Sequence, residues 1–215
     1  MYREEFSEKD REMIRIVIVE DDKDFIYLIE EMLADEKDIE VIGSYDEGIC
    51  DELPALFYSA DLVILDLNLS DGIKGGMGGI KIAKKIRSCT NAKILILTGY
   101  EDPEIVLSAG RQTFASGYLL KKDHKSLPFT IRKIIEGNSP EEVYICSALL
   151  QKLSYAERFV LMEYLGYEVD IHSSAKTKSN QMSSIVQKFG LDKPADLVRI
   201  FRNYPDLPKL NEELG

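Results

Sequence analysis

The chain has 215 residues, of which 45% are hydrophobic, and this length suits a medium domain followed by a small one. Its formal net charge of −11 excludes attraction of nucleic acid by bulk charge, so any DNA contact needs a local basic face. The charged N-terminus predicts no signal peptide, and no apolar run approaches the roughly 20 residues that a membrane span needs. Three scattered cysteines fit a reducing compartment, so we expect a cytoplasmic protein without a membrane partner.

The first two thirds of the chain alternate short apolar runs with stretches of helical period. The helix after the second run is predicted to be weak because Pro54 disturbs it, whereas Asp102 and Pro103 form a typical helix start. Such a succession of five strand–helix pairs predicts an α/β fold, with a parallel sheet and helices on both faces. The five runs that are typical of buried strands begin at Ile14, Ile39, Leu62, Lys93 and Gly117.

Polar residues follow four of these strands, at the sheet edge where α/β proteins place their sites. Glu20 and Asp21 follow the first strand, Asp66 the third, Thr98 the fourth and Lys121 the fifth. Three carboxylates that converge at one edge repel each other, and a divalent cation such as Mg²⁺ would relieve that repulsion. The set predicts Asp66 as a nucleophile toward a phosphoryl group, with Thr98 as a hydrogen-bond donor and Lys121 as an ion-pair partner.

Each of these residues has a simpler explanation when it is taken alone. An acid after a strand is often a turn residue or a helix N-cap, and a lysine is usually a solvated surface residue. The presence of all five positions, in order on a five-strand pattern, favours the site.

The last third of the chain has a helical pattern without strand-like runs. Ser154 and Glu157 form a capping-box pattern, and Gly166 is expected to end the helix that they start. A second helix is predicted from Ala175 to Phe189, and a third after Pro194. These features predict a small all-α domain.

The segment from Ile14 to Gly137 resembles the receiver domain of two-component response regulators. The matching motifs are IVIVEDD, DLVILDLNLSDG, ILILTGY and GYLLKKD. The resemblance implies a flavodoxin-like (βα)5 fold in which a partner histidine kinase phosphorylates Asp66. It also implies that Mg²⁺ is held by Glu20, Asp21, Asp66 and the backbone carbonyl of Asn68.

Three further residues have roles that come from this resemblance. Thr98 and Lys121 are implied to sense the phosphoryl group, and Tyr118 is implied to be the aromatic switch that turns inward when Thr98 moves. An ordinary aromatic of an edge strand is the alternative for Tyr118.

A glycine-rich loop at residues 71–79 departs from the receiver pattern. It is longer and richer in glycine than receivers usually show, which predicts mobility. A phosphate-binding P-loop does not fit, because the segment has no Gly-Lys-Ser/Thr ending. A flexible lid over the metal site and a plain insertion remain as interpretations.

Residues 143–201 resemble the linker and helix-turn-helix effector domain of NarL/LuxR-type response regulators. The matching pieces are LSYAERFVLMEYLG, SAKTKSNQMSSIVQKFGL and DKPADLVRIF. The resemblance implies a four-helix module whose third helix enters the DNA major groove, with lysines at phosphates and amides at bases. The DNA-binding candidates on that helix are Lys176, Thr177, Lys178, Asn180 and Gln181.

The effector resemblance is incomplete in two respects. Between Gly166 and Ser174 the chain is shorter than the family pattern by about six residues, too few for the usual scaffold helix. From Ser147 onward nine basic residues meet nine acidic ones, so this region has no basic excess. We therefore expect DNA binding to be weak or to depend on dimerisation.

The predicted organisation is a receiver domain at 13–137, a linker at 138–148, a divergent effector domain at 149–203 and a tail at 204–215. The first hypothesis is a non-enzymatic response regulator that dimerises on phosphorylation and regulates transcription by binding DNA. The second is a receiver whose degenerate effector acts through protein contacts without DNA. A third, a magnesium-dependent phosphatase-like enzyme with Asp66 as nucleophile, is disfavoured because no separate acid to protonate a leaving group stands beside Asp66.

Overall fold

The computed structural model describes residues 13–46, 53–69, 78–137, 139–169 and 173–201. Residues 71–77 of the glycine-rich loop, Asn138 and the predicted tail lie outside the described residues. Five strands form one parallel sheet in the order β2-β1-β3-β4-β5, which confirms the predicted α/β fold. The strands are β1 (Ile14–Val19), β2 (Ile39–Tyr45), β3 (Leu62–Leu65), β4 (Lys93–Thr98) and β5 (Gly117–Leu120).

Four α-helices pack on the two faces of this sheet. Asp102 caps α3 through a hydrogen bond from the backbone N–H of Glu104, with Pro103 as the first helical residue, as predicted. The weak helix predicted near Pro54 is only a 3-10 helix, Ala55–Tyr58, which begins directly after the proline. The α-helices are α1 (Lys23–Ala34), α2 (Gly78–Cys89), α3 (Pro103–Thr113) and α4 (Leu127–Glu136).

The sheet is buried on both faces because its strands alternate apolar side chains between two cores. Val17, Val63 and Ile94 point into one core, and Ile16, Ile64 and Leu95 point into the other. Strand order reverses between β1 and β3, and this is the point where open α/β sheets form a crevice at the carboxyl ends of their strands.

The C-terminal region is helical, as predicted: α5 (Pro140–Leu150), α6 (Tyr155–Tyr164), α7 (Ala175–Phe189) and α8 (Ala195–Phe201). The predicted capping box of Ser154 and Glu157 is present, and Gly190 ends α7 with a φ of 65°. Most of the segment predicted as a linker lies within α5. Residues 167–169 and 173–174 are not helical, in agreement with the missing scaffold helix.

Apolar side chains of α5–α8 form a separate cluster, here called the C-terminal core, which includes Leu149, Leu161, Ile185, Phe189 and Leu197. No helix within the described residues combines the length and apolar character that a bilayer span requires.

Candidate functional site

Three predicted acidic residues meet at the crevice. Glu20 and Asp21 follow β1, and Asp66 follows β3, its neighbour in the sheet. One carboxylate oxygen from each lies within 4.8 Å of the others. Glu20 and Asp66 are each only 2% exposed, whereas Asp21 is exposed. The cluster therefore opens to solvent on the side of Asp21.

The predicted lysine joins this cluster from the end of β5. Lys121 Nζ lies 2.7 Å from Glu20 Oε2 and 2.8 Å from Asp66 Oδ2. The same Nζ is 4.9 Å from the centre of the Phe25 ring, a favourable cation–π distance. Lys121 is thus the counter-charge of both buried carboxylates.

Burial and charge act in opposite directions on these groups. Burial raises the pKa of Glu20 and the nearby Asp66 charge adds to this, while the hydrogen bond from Lys121 opposes both. Burial by itself lowers the pKa of Lys121, but the hydrogen bonds to Asp66 and Glu20 outweigh it, so this pKa is raised. The lysine therefore stays charged because two carboxyl groups accept its hydrogen bonds.

The backbone around Asp66 is held by short-range contacts. The backbone N–H of Asn68 donates to Asp66 Oδ1 at 3.1 Å, and the N–H of Gly79, at the start of α2, donates to the Leu67 carbonyl at 3.4 Å. A Cβ on Gly79 would lie 2.2 Å from the Asp66 carbonyl oxygen, so only glycine fits at this point. Our sequence interpretation related Gly79 to loop mobility and missed this packing role.

The predicted switch residues lie on the two strands that follow β3 in the sheet: Thr98 ends β4, and Tyr118 is in β5. Thr98 is fully buried, and its Oγ1 has no hydrogen-bond partner among the described residues. Tyr118 is half-buried and donates its hydroxyl to the backbone carbonyl of Tyr100 at 3.0 Å. Burial, and then the charge of Asp66, raise the pKa of Tyr118 to about 12, so the phenol remains a donor.

Tyr100 is a site residue that sequence reasoning missed. Its hydroxyl donates to Asn68 Oδ1 at 3.0 Å and so connects the loop after β4 with the loop after Asp66. The available signal was its position, because Tyr100 comes two residues after Thr98 in the ILILTGY motif.

The donor set fits a hard divalent cation. Glu20, Asp21 and Asp66 offer carboxylate oxygens, which Mg²⁺ prefers, and Asp21 leaves the site open to the waters that Mg²⁺ retains. The unpartnered Oγ1 of Thr98 adds a donor for an anionic group near the same edge. The arrangement suits a nucleophilic carboxylate whose charge is balanced from two sides.

The five DNA-binding candidates lie on α7. Lys176, Thr177 and Asn180 are exposed, and Gln181 is partly buried. Lys178 forms an ion pair with Glu163 of α6, with Nζ and Oε1 2.5 Å apart. The exposed face of α7 is polar, but this lysine already has an acidic partner within the chain.

Comparison with known proteins agrees with this geometry. The sequence model of the response regulator receiver domain matches residues 16–132, more than half of the chain. Over 149 residues the chain is 29% identical to the transcriptional regulatory protein LiaR of Bacillus subtilis, which covers 67% of this chain and 66% of LiaR. It is 29% identical over 121 residues to the oxygen regulatory protein NreC of Staphylococcus epidermidis, covering 54% of this chain and 52% of NreC.

Among solved structures, the RcsB response regulator of Salmonella typhimurium is similar to 89% of this chain, and the similarity covers 98% of the RcsB chain. The TM-score is 0.50 and the sequence identity is 26%. The chain spans between about half and two thirds of the length of the curated relatives that it matches. Because the family match covers more than half of the sequence and the sheet has the expected five parallel strands, the chain belongs to the response regulator receiver domain family of two-component signalling proteins.

Proposed function

We propose that Asp66 accepts a phosphoryl group from the phosphohistidine of a histidine kinase. A carboxylate oxygen of Asp66 attacks phosphorus, an O–P bond forms, and the P–N bond to the imidazole breaks with its electron pair moving to nitrogen. The observation that carries this proposal is the contact of Lys121 Nζ with both Asp66 and Glu20 in one buried cluster. The ammonium group of Lys121 lies against the Asp66 carboxylate and supplies a positive charge for the incoming phosphoryl oxygens.

The other site residues would hold the metal ion and orient the phosphoryl group. Glu20, Asp21, Asp66 and the backbone carbonyl of Asn68 are the groups that would hold Mg²⁺. When bound, the ion supplies charge neutralisation between the carboxylates and the incoming phosphoryl oxygens. Lys121 then exchanges its contact with Asp66 for one with the phosphoryl group, and Thr98 donates its free hydroxyl to a phosphoryl oxygen.

The phosphoryl group is also the signal. It adds a charge of about −1.5 to −2, which draws Thr98 and Lys121 toward the site. Inward movement of Thr98 makes room for Tyr118, whose hydroxyl leaves the Tyr100 carbonyl. This change shifts an existing equilibrium between two arrangements of α3 and β5 and does not create a new fold.

Incubation with Mg²⁺ and acetyl phosphate tests the acceptor. We expect one phosphoryl group per chain by intact mass, and none on Asp66→Asn. Asp61→Asn is the matched control. Asp61 precedes β3 and pairs with Arg15, whereas Asp66 follows β3 at the other end. Labelling of Asp66→Asn at another aspartate would contradict the assignment.

Metal binding is tested by Asp21→Ala. The variant removes the exposed ligand and leaves the buried pair with Lys121 intact, so we expect it to fold and to lose both Mg²⁺ binding and phosphorylation. Isothermal titration with Mg²⁺ measures the first effect. Unchanged Mg²⁺ affinity of this variant would point to another ligand set.

For the output, we propose regulation of transcription through DNA contacts of α7 in a phosphorylated dimer. LiaR is named as a transcriptional regulator and the RcsB structure is described in terms of DNA interaction, which supports this proposal over protein contacts alone. The ion pair of Lys178 with Glu163 supports weak binding, because a paired lysine contributes less to phosphate contacts.

A charge-matched pair of variants tests the role of α7. Glu163→Gln removes the acidic partner of Lys178, and we expect tighter DNA binding. The slope of log affinity against log salt concentration should become steeper by about one. Glu168→Gln makes the same change of charge at another exposed position. Equal binding by the two variants at every salt concentration would argue against a contact from Lys178. Absence of DNA binding by the phosphorylated protein at low salt would favour the protein-contact alternative.

A further inference from the structure

One aromatic side chain of the receiver is built into the core of the C-terminal helices. Phe114 follows α3, is 4% exposed, and belongs to the C-terminal core. It is the one residue before α5 in that core among the described parts of the chain. Its side chain therefore crosses the predicted boundary between the two domains.

The backbone of Phe114 indicates that the position of this side chain matters. Its φ of 51° and ψ of 42° place it in the left-handed region, and it is the single non-glycine residue with positive φ in the described chain. A glycine would adopt this conformation without strain, whereas a phenylalanine needs surrounding contacts to hold it there. The contacts of the phenyl ring in the C-terminal core offset the cost of this backbone conformation.

Polar contacts brace the turn that carries Phe114. Arg87, buried at the end of α2, donates to the Phe114 carbonyl and, at 3.3 Å, to Ser116 Oγ. Ser139, the N-cap of α5, donates its hydroxyl to the Ser116 carbonyl. These contacts tie α2, the α3–β5 turn and the start of α5 together.

An ion pair adds to this bracing. Lys93 Nζ of β4 lies 3.3 Å from Glu142 Oε1 of α5, and both side chains are largely buried, at 11% and 18% exposed. Helices α3 and α5 also approach closely, since a Cβ on Gly110 would lie 3.3 Å from Ile145 Cδ1. The start of α5 is thus attached to the receiver by polar and apolar contacts.

The same turn lies at the far end of the helix that follows Thr98. Helix α3 has 11 residues, from Pro103 to Thr113, and is about 16 Å long at 1.5 Å per residue. A displacement of its first turn, next to the switch residues, reaches Phe114 because an α-helix moves as a stiff unit.

We propose that Phe114, braced by Arg87, Ser116 and Ser139, is a fixed joint through which the receiver completes the C-terminal core. The joint passes the state of Asp66 to α7 through α3 while the two parts stay in contact. The signalling part of this proposal rests on the proposed phosphorylation of Asp66, whereas the structural part does not.

Hydrogen exchange of the full chain tests the structural part. We expect Phe114→Ala to lower amide protection in α6–α8 by about tenfold or more, while β1 and β3 change by less than about twofold. Phe114→Leu keeps an apolar side chain and should retain most of the protection. Phe114→Gly relieves the backbone but removes the side chain, so it should behave like Phe114→Ala.

Phe129→Ala is the matched control, because Phe129 is an exposed phenylalanine on α4 and its loss should leave all protection unchanged. Normal protection of α6–α8 in Phe114→Ala or Phe114→Gly would overturn the joint. An equal loss of protection in the sheet and in α6–α8 would also overturn it, because Phe114 would then be part of the receiver core.

Phosphorylation tests the signalling part. Wild-type protein treated with acetyl phosphate and Mg²⁺ should change its exchange in α6–α8, and Phe114→Ala should be phosphorylated at Asp66 without a corresponding change. A phosphorylation-linked change that persists in Phe114→Ala, or is absent from fully phosphorylated wild type, would overturn transmission through the joint. Failure of the wild type to be phosphorylated would contradict the proposed function and leave the structural result to stand on its own.

Discussion

The hydroxyl of Tyr118 donates a 3.0 Å hydrogen bond to the backbone carbonyl of Tyr100. Tyr100 in turn donates its own hydroxyl to Asn68 Oδ1 at 3.0 Å, two residues beyond Asp66. The edge strand β5 is therefore connected to the loop after Asp66 by two consecutive hydrogen bonds. The proposed movement of Tyr118 would break the first of these hydrogen bonds.

Removal of the Tyr100 hydroxyl should shorten the lifetime of the phosphorylated protein. Tyr100→Phe keeps the ring but frees Asn68, which opens the mouth of the site to water. Loss of one hydrogen bond is worth about 1 kcal/mol, so we expect hydrolysis about fivefold faster. Phosphate-affinity gels after removal of the phosphodonor measure the half-life. Tyr58→Phe, at an exposed tyrosine, is the control, and a Tyr100→Phe half-life equal to its value would exclude this role.

A methyl group at Gly79 should displace Asp66. The added Cβ would lie 2.2 Å from the Asp66 carbonyl oxygen and 2.8 Å from Leu67 Cα, both backbone atoms that yield little. We expect Gly79→Ala to lower the free energy of unfolding by about 1–3 kcal/mol and to slow phosphorylation. Gly99→Ala is the control because its Cβ would meet nothing within 4 Å. Urea unfolding and acetyl phosphate kinetics provide the measurements, and similar behaviour of the two variants would refute the steric explanation.

Loss of Lys121 should make the protein more dependent on Mg²⁺. Lys121→Met leaves the buried oxygens of Glu20 and Asp66 without their donor, and we expect a stability loss of about 1–3 kcal/mol in the absence of metal. Added Mg²⁺ should raise the Tm of this variant more than that of the wild type, because the cation replaces the missing charge. Lys122→Met, which removes a surface ion pair with Glu101, should change little. An equal Mg²⁺ shift in all three proteins would contradict the counter-charge role.

Glu157 should stabilise the C-terminal helices at neutral pH and lose this effect in acid. Burial acts to raise its pKa, but hydrogen bonds from Lys188, the Ser154 backbone and Ser184 outweigh it and lower the pKa from 4.5 to about 2. The folded state thus favours the charged form, so the stabilisation is present above pH 4.5 and lost as the pH falls toward 2.

The test compares the wild type with Glu157→Gln across this pH range. We expect the wild type to be more stable by an amount on the order of 2 kcal/mol at pH 7, and the difference to shrink between pH 4.5 and about 2. Glu163→Gln, at a more exposed ion pair, should show a smaller difference. A stability difference for Glu157→Gln that is independent of pH would show that packing, not charge, is responsible.

The sequence by itself determined the sheet and the acidic edge. Period-2 and period-3.6 patterns are local properties, and the carboxyl ends of parallel strands must share one edge, so Glu20, Asp66 and Lys121 could be placed together without coordinates. Gly190 and the Ser154–Glu157 capping box were predictable for the same reason, because caps depend on residues a few positions apart.

Only the tertiary structure decided the contacts between residues distant in sequence. Glycine is needed at position 79 because α2 begins against the Asp66 backbone. The sequence of the preceding loop does not predict this contact. The burial of Phe114 among the C-terminal helices depends on where α5 packs. A single apolar residue at the end of a helix does not by itself predict which residues it contacts. The local hydrophobic pattern predicts which apolar surface of a segment is buried. Which residues cover that surface depends on the packing of the whole chain.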